Sequence, residues 1–239
     1  MTDPQPADKN RTQCFIEDIE AVMDMLKIES CPLMVTSAGT HHAFDLATRL
    51  PKRISQIFLV AASPPGTYWS RHGTKAPWTD AIFRIDEKFG TARKIIGAAN
   101  LKALVTVGSK QYHKLQLAGN RNDIEIVMRP ENVVELEFAL ESATTFGMST
   151  IMEDIRVLFT DYSDKISNCR CNVSILHGAQ DPMFPIQSMR DLQADYSDRI
   201  KLIEFKDAGF TLLLSHTEQV VSQLSNLTKD AEIELAEVM

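Results

Sequence analysis

The chain has 239 residues, of which 44% are hydrophobic and 24% charged, a composition that places it among globular proteins and excludes disordered and fibrous classes. Its 25 Lys and Arg against 32 Asp and Glu give a formal charge of -7, the wrong sign for a protein that holds a nucleic-acid backbone. The longest apolar runs, such as Ile57 to Ala62 and Leu212 to Leu214, fall far short of the roughly 20 residues that span a bilayer.

Residues 1–11 are polar, with Pro4 and Pro6 and no basic start leading into an apolar stretch, so they read as a flexible tail and not as a secretory signal. Phe15, Ile19, Val22, Met23 and Leu26 follow at helical spacing and predict an amphipathic helix. Leu33-Met34-Val35 then predicts a short strand that leads through Thr36-Ser37-Ala38-Gly39 into a helix carrying Ala43, Leu46, Ala47 and Leu50. Ile54 to Ala62 is a β-branched and aromatic run of strand length, closed by Ser63-Pro64-Pro65-Gly66. These pieces form one βαβ unit.

From about Trp78 to Ile166 helical periods dominate: Ile82, Ile85 and Phe89, then Val133, Leu136, Phe138 and Leu140, then Ile151, Ile155 and Leu158. Val173 to Leu176 predicts another strand, ended by the polar turn His177-Gly178-Ala179-Gln180-Asp181, with a helix near Ile186 to Leu192. Ile200 to Phe205 alternates like a strand, and Leu212 to Leu227 predicts the last helix before an acidic tail at 228–239. The expectation is one α/β domain over 12–227, with a mostly parallel sheet and a helical lid over about 68–168.

Four cysteines without an export signal are read as free thiols of a reducing cytoplasm. Cys169-Arg170-Cys171 is too closely spaced, and offers too few ligands, for a structural zinc site. No metal and no nucleotide cofactor is expected, since phosphate-binding glycine loops are lacking. Met128-Arg129-Pro130-Glu131 reads as a helix start, and the acidic residues of the tail as a solvated end.

The sharpest chemical signal is Ser37. A serine on a tight strand-to-helix turn projects its hydroxyl above the strand ends, with a helix N-terminus beneath it. Such a turn wants small residues two positions to either side; Gly39 supplies one, but Val35 stands where the pattern G-x-S-x-G has glycine. Taken alone, Ser37 could equally be a helix-capping serine.

The downstream segment Val173 to Pro185, with His177-Gly178-Ala179-Gln180-Asp181 at its centre, resembles the acid-bearing segment of the α/β-hydrolase superfamily, and Asp181 matches its triad aspartate. Asp18 to Leu26 resembles the helix before the nucleophile strand, and Arg49 to Ile54 the exit of the helix behind it. The resemblance runs from about residue 12 to residue 227 and implies a serine-acid-histidine order. Around Phe146-Gly147, Glu153 to Arg156 and Asp161-Tyr162-Ser163 the lid is similar to hydrolase domains fused behind helix-turn-helix domains in bacterial regulators, which implies a sensor role.

The sequence departs from that pattern twice. Where the superfamily has glycine followed by the triad histidine, this chain has Asp207-Ala208-Gly209 followed by Phe210, and phenylalanine cannot take a proton from serine. The strands expected before the nucleophile strand, one of which brings an oxyanion-hole N–H, have no counterpart before Leu33. Leu33 to Val35 should then be a bare sheet edge, covered in a longer protein or by a homodimer.

None of the histidines replaces the base by spacing: His216 lies more than one helical turn past Phe210, His41 and His42 lie up the helix from Ser37, and His177 precedes Asp181. His72 and His113 fall in the lid or its approach. Tyr68, Trp69 and Trp78 could line an apolar pocket or simply pack. Three readings follow: an impaired hydrolase domain that binds a small apolar or ester-like molecule, an esterase-like hydrolase using Ser37, Asp181 and a relocated histidine, or a poorly folding remnant.

Overall fold

A computed structural model describes residues 11–73, 114, 117, 120–145 and 160–238. Helix α1 (Arg11–Met25) leads into β1 (Cys31–Ser37), α2 (Thr40–Arg49), β2 (Ile54–Ala62) and α3 (Gly66–His72). After it come α4 (Arg121–Val127), α5 (Pro130–Thr145) and α6 (Ser163–Asn168). The chain then returns to the sheet as β3 (Asn172–Gly178), α7 (Ile186–Asp195), β4 (Ile200–Phe205), α8 (Leu212–Ser215) and α9 (Thr217–Val238).

The four strands form one parallel sheet in the order β1-β2-β3-β4. β2 is buried along its length apart from Ser55, and β3 apart from Asn172, as expected of parallel strands covered on both faces. β1 differs: Leu33 and Val35 pack on the core, whereas Met34, on the other face, is 44% exposed. Among the described residues β1 pairs with β2 alone, so the strand expected to be a bare edge is one.

Strand alternation divides the core in two. On one face Ile57, Leu59 and Ile175 meet Phe44 and Leu46 of α2 and Met189 and Leu192 of α7. On the other, Val60 and Leu176 meet Leu212 of α8 and Val220 of α9. Each fully buried aliphatic side chain contributes about 1.5–3 kcal/mol, so both layers are needed to hold the sheet flat against its helices.

Element boundaries shift in three places. α1 begins at Arg11, inside the expected tail. The last helix divides at His216, whose non-helical backbone (φ -131, ψ 34) separates α8 from α9. α9 then runs to Val238 instead of stopping at Leu227, because Thr217 to Val238 contains no Gly or Pro to end it. The lid expectations at Trp78, Ile82, Ile85, Phe89, His113, Ile151, Ile155 and Leu158, and the motif from Phe146 to Arg156, lie outside the described residues.

Candidate active site

Ser37 is the last residue of β1 and has φ 48, a left-handed conformation that a side-chain-bearing residue adopts only under strain. Three hydrogen bonds converge on its carbonyl and hold it there: from Thr40 Oγ1 at 2.7 Å, Ser63 Oγ at 3.2 Å and the Ser63 N–H at 3.2 Å. The register between β1 and β2 slips at this point, so that Thr36 faces Val60 but Ser37 faces Ala62. Ala61, left over, also has positive φ (46), the mark of a bulge that re-aims the chain beside a site.

Val35 finds room because position 39 is glycine: a Cβ there would meet Val35 Cβ at 3.3 Å and the Thr36 carbonyl oxygen at 3.1 Å. The residue before α2 is Gly39, and no side chain caps the helix, so the capping reading of Ser37 does not hold. Among the described residues the Ser37 hydroxyl and the Ala38 N–H make no hydrogen bond. Among the described residues both groups, a hydroxyl and the first donor past the turn, are uncommitted.

A cavity of about 340 Å³ opens at the carboxyl ends of β1 and β2, the position where parallel α/β sheets take ligands. Thr36, Ser37, Val60 and Ala61 form its floor. Leu117, Val127 and Leu136 close it from the lid side, and Met183, Phe210, Leu213 and Leu214 from the loops after β3 and β4. Apart from Thr36, Ser37 and Thr211 every described lining residue is apolar. Tyr68 and Trp69 do not line it; both are buried in the core, Tyr68 donating to Asp195 Oδ2 at 2.7 Å and Trp69 packing edge-on against Phe184.

Asp181 sits in the turn after β3 and is 1% exposed. Its Oδ1 accepts from the N–H groups of Met183 (2.8 Å) and Phe184 (2.9 Å), while Oδ2 has no hydrogen-bond partner among the described residues and lies 3.5 Å from His177 Nε2. Burial pushes the Asp181 carboxyl up to about 8, against the two backbone donors, and the negative charge of Asp123 adds to the rise. His177, fully buried and hydrogen-bonded from Nε2 to the Phe184 carbonyl at 2.7 Å, is pushed down to about 4 by the same burial. The two therefore stay neutral near pH 7.

Phe210 shares the cavity with Ser37 and packs at 6.0 Å, ring centre to ring centre, from Phe184. Its loop is fixed by Asp123, a buried residue of α4 that the sequence reading passed over. Asp123 accepts from the Phe210 N–H (2.9 Å), the Thr211 N–H (2.9 Å) and Thr211 Oγ1 (2.6 Å). Asn120 caps α4, accepting from Asn122 N and Asp123 N, and donates to the Gln180 carbonyl at 3.0 Å. The legible signal was Asn120 with Asp123 three residues on, a helix-start pattern. Glycine at 209 is required by the same clamp, since a Cβ there would fall 2.1 Å from Asp123 Oδ2.

The described histidines are engaged elsewhere. His216 approaches Asp207 at 3.4 Å and Ser215 Oγ at 2.8 Å, on a separate cavity of about 260 Å³. His72 pairs with Asp191 at 2.7 Å, and His42 stacks near Phe15. His41 lies 3.3 Å from Asp45, whose carboxylate also takes Lys165 at 2.8 Å. Burial raises the Asp45 carboxyl, but its hydrogen bonds to His41 and Lys165 outweigh that and hold it below the usual range. His41, His42 and Asp45 bring ligand-type atoms within 4.8 Å of one another, yet the Lys165 ammonium already supplies the cation this carboxylate needs.

With this geometry in view, the sequence profile of the α/β hydrolase fold matches residues 2–217. The chain belongs to the α/β-hydrolase family. Solved structures similar to this α/β hydrolase include the epoxide hydrolase of Bacillus megaterium (TM-score 0.65, 15% identity, 95% of this chain and 78% of that one). An esterase from Exiguobacterium antarcticum matches with TM-score 0.60 and 18% identity over 94% of this chain and 76% of that one. MenH from S. aureus matches with TM-score 0.64 and 14% identity over 96% and 80%. At such identities the likeness is one of fold. No functionally curated protein matches the sequence. Among the described residues no helix is long and apolar enough to cross a membrane.

Proposed function

We propose that this α/β-hydrolase domain binds a small apolar or ester-like molecule in the cavity above Ser37 and turns it over poorly, as a ligand-responsive module. One observation carries the reading: the cavity that holds Ser37 is lined by Phe210 and aliphatic side chains, and no described imidazole lines it. Without a base the serine hydroxyl stays protonated at neutral pH, and a positioned base is worth 10²–10⁴-fold in rate. The uncharged lining matches the acyl chain of an ester better than a charged metabolite.

The second reading, an esterase-like serine hydrolase with Ser37 as nucleophile and Asp181 as acid, is favoured by the strained Ser37 backbone. Such strain is retained where it serves a site. Two measurements on the purified chain separate the readings: thermal melting with alkyl esters from butyrate to decanoate, and hydrolysis of p-nitrophenyl butyrate by wild type and Ser37→Ala. A saturable rise in melting temperature, lost in Leu213→Arg, with slow turnover or none is the expected result. Turnover at ordinary enzyme rates, about 1–10³ s⁻¹, that disappears in Ser37→Ala overturns the binding reading in favour of the esterase, and the absence of both responses sinks each.

A further inference from the structure

We infer that Cys169 and Cys171 form a peroxide-oxidisable dithiol, closing to a reversible disulfide at the joint where α6 re-enters the sheet as β3. The inference stands apart from the reading of the Ser37 cavity. Cys169 ends α6 in an extended conformation (φ -70, ψ 132), and in extended backbone residues two apart face the same side. Their sulfurs accordingly lie 3.4 Å apart as free thiols. A disulfide needs about 2.05 Å, a closure within reach of side-chain rotation and a small backbone adjustment.

The surroundings favour one thiolate in this pair. Arg199, whose side chain donates to the carbonyls of Ser167 (3.1 Å) and Cys169 (2.9 Å), brings a positive charge to the joint. The Cys169 thiol is lowered to about 7, chiefly by the hydrogen bond it shares with Cys171, with the Arg199 charge helping against burial. Cys171 is raised by the same shared hydrogen bond, followed by burial. Cys169 is buried and Cys171 half-buried, so a small oxidant reaches the pair from the Cys171 side. A low-pKa thiol beside a resolving thiol is the arrangement that reversible oxidation requires.

In the first step the thiolate sulfur attacks one oxygen of a hydroperoxide; the O–O bond breaks and the alkoxide leaves and takes up a proton. This gives a sulfenic acid. In the second step the partner sulfur attacks that sulfur, forming the S–S bond, while the sulfenic oxygen departs as water with the thiol proton. Two electrons pass from the dithiol to the peroxide. A metal held by the same thiols would need further ligands, and among the described residues no third His, Cys, Asp or Glu joins them.

The test treats the purified full chain with one equivalent of tert-butyl hydroperoxide and then counts alkylatable thiols after denaturation. We expect a fall from four thiols to two, a mass loss of two hydrogens located between Cys169 and Cys171 by peptide mapping, and full recovery with dithiothreitol. Cys14→Ser and Cys31→Ser should behave as wild type, and Cys171→Ser should stop at a sulfenic acid that dimedone traps. Four thiols remaining, a disulfide involving Cys14 or Cys31, or oxidation of Cys169 beyond the sulfenic stage in wild type would each overturn the proposal. The wild-type thiol count and the mapped position of the disulfide decide it together, whether or not a serine variant folds.

Discussion

Two loops face the same cavity and have fared differently. The turn at Ser37 has a strained backbone, with positive φ held by three hydrogen bonds onto one carbonyl. The loop at 207–211 has an equally well-fixed backbone, clamped by three hydrogen bonds to Asp123, but brings the apolar ring of Phe210 to the cavity. Backbone geometry and side-chain chemistry are separable: the first is set by many distributed contacts, the second by one residue. Asp181, buried in the turn after β3, has no described hydrogen-bond partner for Oδ2, and burial pushes its carboxyl up to about 8.

The largest expected effect comes from making the two loops chemically alike. Phe210→His should raise p-nitrophenyl butyrate hydrolysis by about 10²-fold, and adding Ser37→Ala should remove the gain. An unchanged rate in a folded Phe210→His variant would mean that the 207–211 loop does not present its side chain to Ser37.

Removing the clamp should cost stability instead. Asp123→Ala leaves two backbone N–H groups and a hydroxyl without their charged acceptor, a loss of about 3 kcal/mol. Urea unfolding would show it, and a midpoint within error of wild type would contradict the assigned role of Asp123.

The neutral pair gives a pH signature. With Asp181 raised to about 8 and His177 lowered to about 4, Asp181 contributes stability that is complete at low pH and lost as pH rises through 8. His177 contributes stability that is complete above its unfolded value and lost as pH falls through 4. Against unfolded values of about 3.9 and 6.5, the two trends cancel between about pH 4 and 6.5. From there to about pH 8 only the Asp181 loss operates, about 2 kcal/mol. Asp181→Asn should abolish that alkaline decline, and parallel pH profiles for variant and wild type would refute the assignment.

The smallest effect lies at the elbow itself. Thr40→Val removes one of three hydrogen bonds on the Ser37 carbonyl, worth about 1 kcal/mol. Thermal melting should drop by a few degrees while the Asp123 clamp stays intact; a drop as large as that of Asp123→Ala would show that the two loops are one cooperative unit.

Much of the fold was legible in the chain. The β-branched run Ile54 to Ala62 and the alternation of Ile200 to Phe205 coincide with β2 and β4, because strand period and length are local properties. The edge position of β1 among the described residues was also readable, since it is a question of which residues are present. The aromatic alternative for Tyr68 and Trp69 went the other way, into the core. Periodicity cannot tell which of two apolar environments a ring enters.

Composition, strand periods and the segments around Ser37 and Asp181 thus determined the class of fold, the parallel sheet and the residues worth asking about, because each depends on near neighbours in sequence. Only the tertiary structure decided that Phe210 shares a cavity with Ser37, that Asp123, 87 residues before Phe210, holds its loop, and that Asp181 stays protonated near neutrality. These depend on which distant groups meet in a medium without water, where a buried charge or an unpaired donor costs several times its value at the surface.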